Sequence, residues 1–256
     1  DFHIAILRYL LVSEGITVIE CPPVPSGYRC MAALTHDVDF VGIRRHSLDN
    51  TILGFLYRAT IGSLKEWIKG RKTLKEALIN WASVFSLPLI YAGLKKDIWD
   101  NFDRYEKMEY PYKSTFYIIP FKKQTGIRAH DDDLKKRACA YDAGDIAGKL
   151  EEVTSKGFEI GVHGIDSWHD PDAGIREKQR IKETAGDKRP VGIRMHWLFY
   201  NDYTPMTLEK SGYYYDSSFG YNETTGFRAG TLQVYGPKET GTLLELSLHI
   251  QDTALF

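Results

Sequence analysis

The chain has 256 residues, and 33 Lys+Arg against 34 Asp+Glu leave a formal net charge of -1. That balance excludes a general electrostatic pull toward nucleic acid or an anionic membrane surface, and no apolar stretch is long enough to span a bilayer. The length suits one large domain or two small ones, a single α/β barrel among the options, and the 13% aromatic content can serve a core or line a sugar-binding cleft.

The cysteines, Cys21, Cys30 and Cys139, are odd in number and widely spaced, which excludes a disulfide framework and a CxxC metal site. They read as free thiols of a reducing compartment. With no secretory leader in the given stretch, a cytoplasmic location is expected.

In chain order, residues 1–14 predict a helix with Ile4, Leu7, Leu10 and Leu11 on one stripe. A short β-branched run over 16–20 and a proline-rich loop over 21–27 follow. Met31 to Thr35 predicts a strand that delivers Asp37 and Asp39. From about 45 to 110 the pattern is helical, with Ile52, Phe55 and Leu56 on one face and Leu74, Leu78 and Trp81 on another. Lys65, Lys69, Arg71, Lys72 and Lys75 form a basic cluster there. It reads as a solvated face, with an anionic glycan or lipid headgroup contact as the other option. Lys113 to Pro120 reads as a buried strand. The Asp131-Asp132-Asp133 run lacks the spaced ligands and closing Glu of an EF-hand, so it reads as a loop or helix cap. Beyond it, helices are expected over 142–156, 176–185 and 205–211, and strands over 158–163, 191–196, 213–216 and 243–250.

Alternating strands and helices argue for a parallel α/β architecture. Polar residues gather just after the strands: Asp37 and Asp39, His163 to His169, Arg194 and His196, Asp216, His249 and Asp252. Ligands bind at the carboxyl ends of strands in such folds, so this rim is the expected site.

Asp37 and Asp39 sit two apart at the end of an apolar run, so strand alternation puts them on one face, and two close carboxylates invite a cation. Such a pair supplies one ligand and one general base; a solvated turn is the other reading. His163 with Asp39 makes a zinc-type ligand set, and His169 is a further candidate for which Asp166 or Ser167 could stand in. Arg194 is a natural partner for Asp37, since a guanidinium holds a carboxylate ionised and oriented. His249, ending a late strand, suits a general acid as well as a hydrogen-bonded structural histidine. Trp168, Trp197, Tyr221 and Phe227 could stack on a sugar ring or close the mouth of the fold. Asp216 and Arg228 could pair with each other or meet substrate.

In order, LTHDVD, FEIGVHGIDSWH, VGIRMHW, YYYDSSFG and LLELSLH resemble the five motifs of the polysaccharide deacetylases (carbohydrate esterase family four, the NodB-homology domain). The likeness runs from about Met31 to Asp252. It implies one domain over 1–256, a distorted (β/α) barrel of seven strands, with the helical insertion at about 45–110 after the first barrel strand. It implies metal-dependent removal of acetyl groups from sugars, with zinc, or else nickel, cobalt or manganese, as cofactor and a saccharide as partner. By motif position, Asp37 is the base, Asp39, His163 and His169 the metal ligands, Arg194 the residue orienting the base, and His249 the acid. Trp168, His196, Trp197 and Asp216 are then expected around the substrate. The chain departs from the family pattern in three places: Val38 separates two usually adjacent carboxylates, His163 and His169 are six apart rather than four, and His196 replaces a common Pro. His196 is open to three roles: extra ligand, substrate contact or packing residue. The variant resembles an offshoot tied to surface-glycan biosynthesis, such as O-antigen. A hydrolase of a non-peptide C–N bond on the same fold and a non-catalytic carbohydrate-binding relative are the competing readings.

Overall fold

The computed structural model describes residues 2–19, 24–47, 49–127 and 137–255. Cys21, the prolines beside it and the Asp131 to Asp133 run lie outside the described residues. The chain divides into two compact units: Asp1–Val38, Lys113–Ala138 and Asp142–Phe256 form one, and Asp39–Tyr112 with Cys139–Tyr141 the other.

The first unit is an α/β layer structure. Six parallel strands, β1 (Thr35–Val38), β2 (Thr115–Ile118), β3 (Glu159–Gly164), β4 (Gly192–Met195), β5 (Tyr215–Asp216) and β6 (Leu244–Glu245), lie side by side in chain order. Helix α1 (Phe2–Ser13) precedes them, and α7 (Ala147–Ser155), α8 (Pro171–Ala185) and α9 (Thr204–Lys210) connect the later ones. Strand side chains alternate, so one face carries Phe116, Ile118, Ile160, Val162 and Ile193, all buried together with Leu150 and Val153 of α7 and Ile181 of α8.

The other face carries Thr35, Asp37, Thr115, Tyr117, Gly161, His163, Gly192, Arg194 and Tyr215. This face is concave. Arg194 on β4 bonds Asp37 on β1 at 2.9 Å, and the Tyr117 hydroxyl donates to the Tyr215 hydroxyl at 3.4 Å from β2 to β5. In a flat sheet, positions three strands apart would be ~14 Å from one another, so the sheet curls around these side chains. Two glycines make room: a Cβ on Gly161 would lie 2.6 Å from the Tyr117 ring, and one on Gly192 would lie 2.0 Å from the Tyr215 ring.

Several expectations change. Six strands rather than seven are found among the described residues, and no ladder joins β1 to β6 there. The strand expected over 243–250 narrows to β6; past it, the Leu246 and Leu248 amides donate to the Asp216 and Phe219 carbonyls and Leu248 bridges Gly220, without a continuous ladder. The first strand starts at Thr35, where pairing to β2 begins, so Met31 to Leu34 precede it. Asp37 is therefore inside β1, whereas Asp39 sits in a bend just past its end, and strand alternation does not place the two carboxylates on one face. The apolar stripe of α1 is not buried.

The second unit holds the helices of the stretch expected over 45–110: α2 (Asn50–Tyr57), α3 (Ser63–Ile68), α4 (Leu74–Phe85), α5 (Leu87–Tyr91) and α6 (Phe102–Glu109). Ile43, Ile52, Leu87 and Ile90 form its core, with Phe55, Leu56, Ile98 and Trp99 against it. The Asp97 carboxylate ties the core together by accepting from the Ile43 and Arg44 amides. Thr73 and Glu76 form a capping box that starts α4. The expected face of Leu74 and Leu78 is exposed; Ala77 is the buried residue of α4, because a small side chain allows close approach. The basic cluster is solvent-exposed, with Lys69 and Arg71 facing Glu66. No described helix is long and apolar enough to cross a membrane.

Candidate active site

Arg194 is the best-anchored polar side chain of the concave face. Its Nε donates to the Ser217 carbonyl at 3.0 Å and its Nη2 to the Ser217 hydroxyl at 2.8 Å, while Nη1 donates to Thr35 Oγ1 at 2.8 Å and to Asp37 Oδ1 at 2.9 Å. Its cationic plane also lies over the Tyr117 ring, 4.6 Å from the centroid. The Arg194 side chain is 4% exposed and the Asp37 carboxylate 28%, so the pair presents a carboxylate to solvent from a buried cation. Burial pushes the Asp37 carboxyl up, but the charges of Arg194 and His163 and the Arg194 hydrogen bond outweigh it and hold the group below its usual value. Asp37 therefore stays ionised at neutral pH.

His163 follows Gly161 and Val162 on β3 and is buried beside Arg194, its register partner. Its Nδ1 lies 2.9 Å from the Arg194 carbonyl oxygen, which can only accept, so Nδ1 carries the proton and Nε2 is the basic nitrogen. The His196 ring lies 4.8 Å from the His163 ring, tilted by 42°, and is equally buried. Burial, then the nearby His163 and Arg137 charges, push the His196 imidazolium pKa down to about 2, so His196 is neutral.

The chain turns sharply after His196. Trp197 and Leu198 both take positive φ, 66° and 52°, a left-handed conformation that costs side-chain-bearing residues free energy. Arg137, 1% exposed, holds the turn: its Nε and Nη2 donate to the His196 carbonyl at 3.1 and 2.8 Å, and Nη2 also donates to the Gly164 carbonyl. Its guanidinium stacks on Phe199. Sequence reasoning missed Arg137, which sits at the end of an aperiodic polar stretch.

The loop after β3 is fixed by Glu177 of α8. The carboxylate accepts from the Ile165 and Asp166 amides and from the Ser167 hydroxyl. Glu177 too was missed, because a Glu on a charge-rich helix reads as surface. Ser167 is buried in this contact. His169 faces Asp166, Nε2 to Oδ1 3.3 Å, and lies edge-on to Trp168 at 4.7 Å; the same Asp166 oxygen accepts from the Ile127 amide. Trp168 is half-buried against Phe199, its indole N–H without a hydrogen-bond partner among the described residues, and Trp197 is half-buried beside His196 and Phe199.

Asp216 is a core position, 1% exposed, where the sequence expected a substrate contact. Its Oδ1 accepts from the Ser218 amide and hydroxyl, and it stands in register with buried Glu245. Burial raises both carboxyls, and the Asp216 charge raises Glu245 further, so the pair retains a proton at neutral pH. No ion pair joins Asp216 to Arg228 among the described residues; Arg228 donates to the Gly220 carbonyl and stacks on Phe219. His249 packs edge-on to Phe227 with Nε2 3.3 Å from the Thr231 carbonyl, and no hydrogen bond or ion pair joins it to Asp37 or Arg194 among the described residues. Tyr221 and Phe227 are largely exposed. In the second unit, the Asp39 carboxylate and Cys139 sulfur lie within 4.8 Å, and neither Cys30 nor Cys139 is in a disulfide.

No protein-family profile matches the chain, and no curated protein matches it. One solved structure, provisionally described as a polysaccharide deacetylase from Mycobacterium smegmatis, aligns with a TM-score of 0.40 and 18% identity, over 91% of this chain and 64% of that one. The chain thus spans less than two thirds of that protein, and a likeness of this degree carries no argument about activity.

Proposed function

We propose that the chain is a metal-dependent hydrolase that removes an acetyl group from an acetylated amino sugar or polysaccharide. The observation that carries this reading is the Asp37–Arg194 pair, an ionised, half-open carboxylate held on the same concave face as His163. Asp37 takes the proton of the attacking water, and Arg194 keeps it ionised and aimed. His249 is the candidate to protonate the leaving nitrogen or oxygen. The half-buried indoles Trp168 and Trp197 offer apolar faces to a sugar ring, and His196 lies beside them.

A divalent metal suits the donor set, because His163 offers a basic Nε2 from an imidazole whose Nδ1–H is already engaged. By the motif resemblance it is joined by Asp39 and a second imidazole. When bound, the ion supplies Lewis-acid polarisation of the acetyl carbonyl and activates water. Zinc fits nitrogen and carboxylate donors, and surface-glycan synthesis inside the cell is the setting this reading gives the protein.

The test is acetate release from acetylated amino sugars by wild type, chelated and zinc-restored protein, and by Asp37→Asn. Loss of a general base lowers such rates by about 10²–10⁴-fold. Undiminished release by Asp37→Asn, or release insensitive to chelation, overturns the proposal.

A further inference from the structure

We infer that the second imidazole of the metal centre is His196, in the place that the motif resemblance gives to His169; this rests on the metal-dependent reading above. The first support is distance. Two imidazoles on one tetrahedral zinc, with nitrogens ~2.0 Å from the ion, have ring centres ~5 Å apart. His163 and His196 stand at 4.8 Å with tilted rings, as two ligands of one ion would.

The second support is how His196 is held. It opens a kinked 3-10 turn, His196–Leu198, rather than sitting at a strand centre or within an α-helix. It begins a turn through two consecutive left-handed, side-chain-bearing residues, Trp197 and Leu198. A buried arginine clamps the carbonyl of His196 and, through the same Nη2, the carbonyl of Gly164, the residue after His163. Arg137 thus fixes the backbones of both histidine-bearing segments relative to each other. Strain held by a buried cation at a histidine marks a positioned functional group.

The third support is what His169 does instead. It is turned to Asp166, which also binds the Ile127 amide, in a loop closed by Glu177. Among the described residues no ring contact joins His169 to His163, whereas His196 has one.

The test uses the full chain, stripped of metal by chelation and titrated with zinc by calorimetry. The variants are His163→Ala, His196→Ala and His169→Ala, with circular dichroism to check folding. The expectation is that His163→Ala and His196→Ala each weaken zinc binding by more than the ~10–100-fold typical of an outer hydrogen-bond partner, while His169→Ala changes it by less than ~10-fold. As a gain-of-signal arm, cobalt(II) is added to His196→Cys and His169→Cys. A new thiolate-to-cobalt absorption band, relative to wild type, is expected for His196→Cys alone. If zinc binding survives in His196→Ala but not in His169→Ala, or the new band appears only in His169→Cys, the inference fails while the metal-dependent reading stands. If wild type binds no zinc, nickel, cobalt or manganese, both fail.

Discussion

Arg194 reaches Asp37 across two intervening strands, and its Nη1 rests 2.9 Å from the carboxylate while its other nitrogens are bound to Ser217. The guanidinium is a fork whose prongs are all assigned, which a lysine ammonium cannot imitate. Arg194→Lys is therefore expected to lower the acetate-release rate by about 10²-fold or more, within the usual range for disabling a general base. With the arginine bond gone, the Asp37 carboxyl rises, a larger fraction is protonated at any given acidic pH, and the acidic limb of the kcat/KM profile moves upward. A pH–rate profile whose acidic limb stays in place would count against the pairing.

Gly161→Ala and Gly192→Ala place a methyl group against the Tyr117 and Tyr215 rings. Each is expected to cost about 1–3 kcal/mol in urea unfolding, as overpacking does. Tyr215→Ala should cancel part of the cost of Gly192→Ala in the double variant, because the clash partner is gone. Additive losses would show that the glycine serves the backbone rather than the ring.

Glu245 and Asp216 give stability a pH dependence of definite sign. Both carboxyls are raised in the fold, so the native state holds more protons than the unfolded chain above the ordinary carboxylate range. Their contribution is complete below that range and is lost as pH rises through the folded values. Each retained proton contributes a fall of up to about 1.4 kcal/mol per pH unit. Glu245→Gln, neutral at every pH, should flatten the decline of the unfolding free energy with pH relative to wild type. Parallel curves for the two proteins would remove the shared proton from the account.

Glu177→Ala strands the buried Ile165 amide and the part-buried Asp166 amide, and leaves the Ser167 hydroxyl with Tyr213 alone among the described residues. The expected loss is about 2–4 kcal/mol, since each unsatisfied buried donor costs roughly 1–3 kcal/mol and the loop can relax toward solvent. Hydrogen exchange at Ile165 and Asp166 should accelerate more than exchange in β2. Uniform acceleration would mean global rather than local loosening.

The elements that were legible in the sequence are those with strong local signals. β2 is a run of β-branched and aromatic residues, β3 and β4 mix Ile or Val with Gly and polar residues, and the predicted and observed spans of all three differ by a residue or two. The Asp37–Arg194 pair was legible because each residue follows an apolar run in the sequence and the two carry opposite charges. The rest depends on partners that local pattern does not reveal. β1 starts where β2 offers a partner, which leaves Asp39 outside it. The late strand shrinks to Leu244–Glu245 because beyond it the pairing with 216–220 continues only as single hydrogen bonds and an isolated bridge. Asp216 read as a rim carboxylate, yet its partner Glu245 is 29 residues away and both are interior. Arg137 and Glu177 act on backbone carbonyls and amides, and such targets leave no trace in side-chain pattern.

Arg137 addresses the main chain at residues 164 and 196, not their side chains, so the clamp is indifferent to which residue occupies position 196. Cysteine, aspartate or glutamine could be installed there while the turn keeps its course. On the metal-centre reading proposed above, the unit would be a frame for exchanging donor atoms at one position, with ion preference adjusted without rebuilding the fold around it.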